Sequence, residues 1–154
     1  MDFFSGLANY LTGSAALQTL IPNPLIPGTT IKLFQDVADE ATQLPFVVFT
    51  SHDTDRVVHL RGASAIAQIY FQIDVYALDV VDRFKIGDAI RNRLHGKINL
   101  TLTDSLSNSA TMEWAQLRSD TLSNHPPPDG TENPVHCREM SFLVTVDEPL
   151  PSGS

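Results

Sequence analysis

The chain has 154 residues, 42% of them hydrophobic, and its single cysteine, Cys137, excludes a disulfide or cysteine-rich zinc framework. Ten Lys and Arg against eighteen Asp and Glu leave a formal charge of −8, the opposite of the basic excess that coating DNA requires. Only 18% of the side chains are charged, against about 25% in ordinary soluble domains, so the surface is poor in charge yet acidic, as expected where partners cover part of it.

That length suits one domain, here expected over 1–148 with a flexible tail at 149–154, burying about 68–70% of its unfolded surface in one core. The first basic residue is Lys32, so the basic start of a secretory signal is missing. Residues 3–31 are uncharged, but Asn9, Gln18, Pro22 and Pro24 interrupt them, and a membrane span needs about eighteen unbroken apolar residues. The cytoplasm is the default expectation.

Residues 2–21 place Phe3, Leu7, Tyr10, Leu11, Leu17 and Ile21 at helical spacing. Gly6 and Gly13 weaken the pattern, and two shorter helices joined at Thr12-Gly13 are the alternative. Pro22, Pro24, Pro27 and Gly28 then form a loop. A short strand is expected at 31–34 and a firmer one after Pro45, where Phe46, Val47, Val48, Phe49 and Thr50 run on to about His52. Residues 53–64 read as a hairpin connection or a frayed strand extension turning at Gly62.

The clearest element is 66–77. Ile69, Phe71, Ile73, Val75 and Ala77 alternate with Gln68, Tyr70, Gln72, Asp74 and Tyr76, the period-2 signature of a strand with one buried face. The polar face carries amides and phenols in place of Lys and Glu. Water satisfies such a face, and so does a second protein. Asp79 then caps a helix with Asp82 at its third position, and Val80, Phe84, Gly87, Ile90 and Leu94 form the expected inner stripe, with Gly87 allowing close approach to the sheet. Arg91, Arg93, His95 and Lys97 suit its C-terminal dipole, and Gly96 its end. The remainder reads as two strands around a long loop: 111–121, alternating imperfectly, and 138–147, with Met140, Phe142, Val144 and Val146 on one face. Pro126, Pro127, Pro128, Asp129 and Gly130 belong to the loop.

Enzyme signatures are missing: no glycine-rich nucleotide loop, no nucleophile elbow and no zinc-protease helix. His125, His136 and Cys137 have side chains that ligate transition metals, but neighbours on a strand face opposite ways, and a loop separates the two histidines. The same opposition argues against His136 as a base for Cys137, whose plain reading is a buried thiol. Asp79 and Asp82 are explained by capping, and His52 and His59 by loop solvation. Tyr70 and Tyr76 share a face, but Asp74 lies between them with no accompanying Lys or Arg, a poor platform for single-stranded nucleic acid.

The series Leu44-Pro45-Phe46-Val47-Val48-Phe49, then Leu60-Arg61-Gly62, then Gln72-Ile73-Asp74-Val75-Tyr76-Ala77, followed by the helix to Leu94-His95-Gly96, resembles the tail completion, or head-tail joining, proteins of long-tailed phages, also called tail terminators. The likeness runs over about residues 3–147 and is sharpest over 44–96; the 126–134 loop and the residues after Pro149 depart from it. Its motifs are structural, so no catalytic residue, metal ligand or cofactor carries over. The resemblance implies a virion protein assembled in the host cytoplasm: a ring of copies, typically six-fold, at the head-proximal end of the tail. Its partners would be the tail tube protein and a head connector or head-closure protein, with DNA passing through the channel without specific binding and no membrane involved. Ring closure needs two different contact patches on each copy; Gln68, Tyr70, Gln72, Asp74 and Tyr76, with the projecting His59, Arg61, Pro127 and Asp129, are the candidates. An acidic channel wall would let DNA slide. The expected fold is α+β: a mainly antiparallel sheet of about four or five strands with two helices packed on it, in a single domain. The alternatives are another neck or tail component, such as a head-closure or tail-tube subunit, and a small cytoplasmic metal-binding domain or enzyme using His136 and Cys137.

Overall fold

The computed structural model describes residues 2–22, 31–36, 43–59, 62–125 and 134–147, with the backbone alone at 53, 55–59, 62–65 and 125. The N-terminal segment forms two helices, α1 (Phe3–Thr12) and α2 (Ala15–Leu20). Two side-chain caps explain the break: the Ser5 N–H donates to the Asp2 carboxylate at 3.4 Å and the Leu17 N–H to the Ser14 hydroxyl at 3.3 Å, while Gly13 closes α1. Leu7, Leu11, Leu17 and Ile21 are buried from these segments.

Six strands follow in one sheet: β1 (Leu33–Gln35), β2 (Phe46–His59), β3 (Gly62–Ala77), β4 (Ile98–Thr103), β5 (Ser109–His125) and β6 (Val135–Asp147). Their order is β1-β2-β3-β6-β5-β4, with β1 parallel to β2 and every other pair antiparallel. A third helix, α3 (Val80–Leu94), links β3 to β4. The α+β class holds, but the sheet has six strands and is mixed, and three helices replace the expected two. The additional strand is β4. Its Leu100 and Leu102 alternate with Thr101 and Thr103, but Asn99 at φ 52° breaks the run, leaving a pattern too short to stand out. Residues 53–59 extend β2, the strand extension of the two expected alternatives; Gly62 opens β3, and the late strands run beyond 111–121 and 138–147 at one or both ends.

All three helices lie on one face of the sheet, over Ile69, Phe71, Ile73 and Val75 of β3 and Met140, Phe142, Val144 and Val146 of β6. Asp79 caps α3 by accepting from the Val81 N–H at 2.7 Å, and Gly96 takes φ 76° just beyond the helix, as its position demands. The buried stripe of α3 is Arg83, Ile86, Gly87, Ile90 and Leu94, so the expected stripe is correct at its last three members. Val80 and Phe84 are 40% and 42% exposed. A buried arginine at 83 disguised the true centre of that face. Arg83 lies 5.3 Å from the Phe84 ring centre and reaches the Ser123 carbonyl and the Asn124 side chain at 3.4 Å.

The sheet curls. Gln35 of β1 and Asp104, Ser105 and Leu106, which follow β4, belong to opposite edges of the strand order yet line one groove with α1. The helix closes the gap: Phe3 meets Phe49 and Phe71, while Asn9 donates to the Thr103 carbonyl at 3.0 Å. A reciprocal clamp ties α1 to α3, with the Tyr10 hydroxyl donating to the Arg93 carbonyl at 2.7 Å and Arg93 donating twice to the Tyr10 carbonyl.

Asp104 anchors the start of α1. Its carboxylate accepts from the N–H groups of Asp2, Leu106 and Asn108 at 2.9–3.0 Å, joining the β4–β5 turn to the helix. These bonds, the Asp2 one foremost, hold its pKa below the ordinary carboxylate value against the opposing effect of burial. A depressed folded-state pKa contributes stability above the unfolded value, about 3.9, that is lost as pH falls through the folded one. Asp104→Asn is therefore expected to lower Tm at pH 7 and to flatten the acid side of a Tm-against-pH curve; parallel curves for the two proteins would contradict this role.

Candidate functional site: the helix-free face of the sheet

Alternation on β3 sends every second side chain away from the helices. Gln68, Tyr70, Gln72, Asp74 and Tyr76 all lie there, half-buried, as the sequence pattern required. Cross-strand register places Thr145, Leu143, Ser141, Glu139 and Cys137 of β6 opposite them in that order. Phe46, Val48 and Thr50 of β2 extend the face on one side, and Trp114, Gln116, Ser119, Thr121 and Ser123 of β5 on the other.

The phenols and amides shield apolar neighbours. Leu143, opposite Tyr70, is 5% exposed, Val48, opposite Asp74, 7%, and Cys137, opposite Tyr76, 0%. Tyr76 packs tilted at 5.3 Å against Phe46, which meets Phe34 edge-on at 6.2 Å, so an aromatic row crosses β3, β2 and β1. Such rings present an apolar body and a polar tip, the combination enriched at protein contacts. A bulge after Ser51 brings His52 over Gln72, with ring nitrogen and amide oxygen 3.1 Å apart, and Gln72 donates in turn to Asp74 at 2.7 Å.

The electrostatics are one-signed. Asp74 and Glu139 stand directly opposite each other, an arrangement that costs stability. Neither the described β3 nor the β6 positions of this face carry Lys or Arg. Burial, then Asp74 and its neighbours, push the Tyr76 hydroxyl up to about 12 and the Cys137 thiol up to about 11. Both keep their protons at neutral pH, and Cys137 lacks the lowered pKa of a nucleophile. His136 points to the other face, its Nδ1 2.7 Å from the Asn124 side-chain oxygen, so it does not meet Cys137.

His59 ends β2, paired through its backbone with Gly62; its side chain, and Arg61, Pro127 and Asp129 altogether, lie outside the described residues. Sequence reasoning missed Phe46, His52, Glu139 and Leu143 as members of this face. Glu139 and Leu143 follow from the alternation of 138–147, as the residues between Met140, Phe142 and Val144. His52 was not, because a bulge reverses the alternation there.

No family model matches the sequence, and no match was found among curated proteins. Among solved structures, the chain is similar to one in the virion of a native gene transfer agent particle, with a TM-score of 0.64 and 13% identity over 92% of each chain. At that identity the likeness is one of fold: the curled six-stranded sheet with its helices on one side is an architecture shared with a protein of an assembled particle.

Proposed function

We propose that the chain is a structural protein of a phage-type virion, one subunit of a six-fold ring at the head-proximal end of the tail that ends the tail tube and joins it to the head connector. The observation that carries this reading is the fold, which follows a chain of the gene transfer agent virion along 92% of its length. The phage-like series over 44–96 supports it independently, because its residues build the β2–β3 hairpin and α3, the centre of that fold.

The chain works by holding proteins together, without catalysis or a cofactor. The helix-free face, with Gln68, Tyr70, Gln72, Asp74 and Tyr76, is a protein-contact surface; His59, Arg61, Pro127 and Asp129 are further contact candidates at the loops. A chain with a charge of −8 suits a channel that DNA crosses without being gripped.

Light scattering after size exclusion, with and without purified tail tubes, tests the proposal. Rings of copies, or one ring seated at a single end of each tube, are expected. Decoration along the tube wall would favour a tube or neck component of another kind, and a strict monomer that ignores tube ends would remove the proposal.

A further inference from the structure

The two ends of α3 carry different exposed surfaces. At its start, Leu78, Val80, Val81 and Phe84 are 57%, 40%, 53% and 42% exposed, an apolar cluster flanked by Asp79 and Asp82. Leu122, 49% exposed, adjoins it through its cross-strand partner Arg138, whose guanidinium lies 5.9 Å from the Phe84 ring centre. Lys85 is the exposed cation of this end, while Arg83 is turned inward.

At the far end the sign changes. Arg91, Lys97 and Arg118 are exposed there, and Arg91, Asn92, His95 and Leu117 line an open hollow of about 340 Å³, the His95 Nδ1 accepting from the Leu117 N–H at 3.0 Å. Just past Lys97 in the chain, where β4 carries the surface round to the helix-free side, Ile98, 66% exposed, pairs across strands with Trp114, 40% exposed. In a chain with a net charge of −8, this concentration of cations is placed to meet an acidic surface, and a second copy supplies one.

We infer that copies of this chain join head to tail through α3, the apolar, acid-flanked cluster of one copy seating on the basic hollow and the Ile98–Trp114 pair of the next. The inference rests on the ring proposed above and says which surfaces close it. The two patches differ from each other and sit at opposite ends of a helix about 22 Å long. Neither matches itself, so the contact is heterologous, the kind that builds rings. Apolar anchors with charged surroundings are also what a contact of this kind uses for affinity and orientation. The helix-free face, apart from its Ile98–Trp114 corner, then stays open for the protein stacked above or below.

Two surface variants test it. Leu78→Asp with Val81→Asp spoils the first patch, and Lys97→Glu with Ile98→Asp the second; each is expected to weaken assembly at least roughly tenfold while leaving the thermal melt near wild type. Mixed in equal amounts, the two are expected to form a one-to-one dimer that grows no further, since each retains one sound patch. Trp114, the single tryptophan, should shift its emission to the blue when wild-type copies assemble, a readout that a folding defect in a variant cannot imitate. Rings that persist in both variants, or a wild-type emission unchanged on assembly, would overturn the α3 contact and leave the ring intact. A wild-type chain that never assembles, alone or on tubes, removes the ring and this contact together.

Discussion

Phe71→Ala is expected to destabilise the protein by about 3–5 kcal/mol, the upper range for emptying a core position. Phe71 is fully buried at the middle of β3. Its ring stacks on Phe142 at 5.3 Å and 15°, lies 5.2 Å from Phe49 and 5.4 Å from Phe3. Those four rings come from β6, β2, β3 and α1, so one truncation loosens the strand pairings and the helix that closes the curl together. Such a loss is a large share of the roughly 5–15 kcal/mol that holds a domain folded, and at about 2–4 °C per kcal/mol it lowers Tm by roughly 10 °C. Phe71→Leu keeps most of the burial and should cost about 1–2 kcal/mol. Urea unfolding followed by circular dichroism measures both; equal midpoints for the alanine and leucine variants would show that the aromatic cluster is not the keystone described.

The strength of the β3 pattern explains why so much of this architecture was legible. Alternation from Gln68 to Ala77 separates the core face from the helix-free face, because a two-residue period admits no other assignment once one face is buried. The caps at Asp79 and Gly96 bounded α3 in the same way, since each solves a local hydrogen-bonding problem that tertiary packing cannot alter. What stayed hidden depends on partners distant in sequence. β1, expected at 31–34, lies at Leu33–Gln35, but its parallel pairing with Val47, Val48 and Phe49 leaves no local mark, and β4 exists through its pairing with β5. The bulges at His52, Glu113 and Arg118 shift the alternation where it would have been read. The curl is equally invisible in a one-dimensional pattern, because it is a relation between two sheet edges and the helix that spans them. The two ends of α3 are only half legible: the basic last turn stands in the sequence, but Val80 and Phe84 fit an inner stripe by spacing and face outward in fact.

The second large effect concerns Arg138, a charged residue at an inward-facing position of β6, 4% exposed. It donates twice to Asp120, from Nε at 2.9 Å and Nη2 at 2.6 Å, and once to Asp88, from Nη1 at 2.9 Å. Arg138 raises its own affinity for the proton by this pairing and holds the Asp120 carboxyl below the usual carboxylate range, its hydrogen bond outweighing burial. Asp120→Ala leaves a buried guanidinium with Asp88, whose side chain is 51% exposed, and a long bond to the Phe84 carbonyl at 3.4 Å, and should cost about 2–4 kcal/mol. Gly87 makes room for this side chain, which the two carboxylates hold in place: a Cβ there would stand 2.6 Å from the Arg138 Cδ and 2.9 Å from its Cζ. Two effects then compete in Gly87→Ala. Alanine favours the helix by about 1 kcal/mol, whereas crowding a side chain pinned by two carboxylates costs about 1–3 kcal/mol; the crowding wins, for a net loss of about 1–2 kcal/mol. In an Arg138→Ala background the obstruction is gone and only the helix preference remains, so the same glycine substitution should stabilise by up to about 1 kcal/mol. The sign reversal is the test, read from a double-mutant cycle of urea unfolding free energies. Additive effects would mean that Gly87 is not there to seat the Arg138 side chain, and that its place on the buried stripe answers to the backbone of the sheet instead.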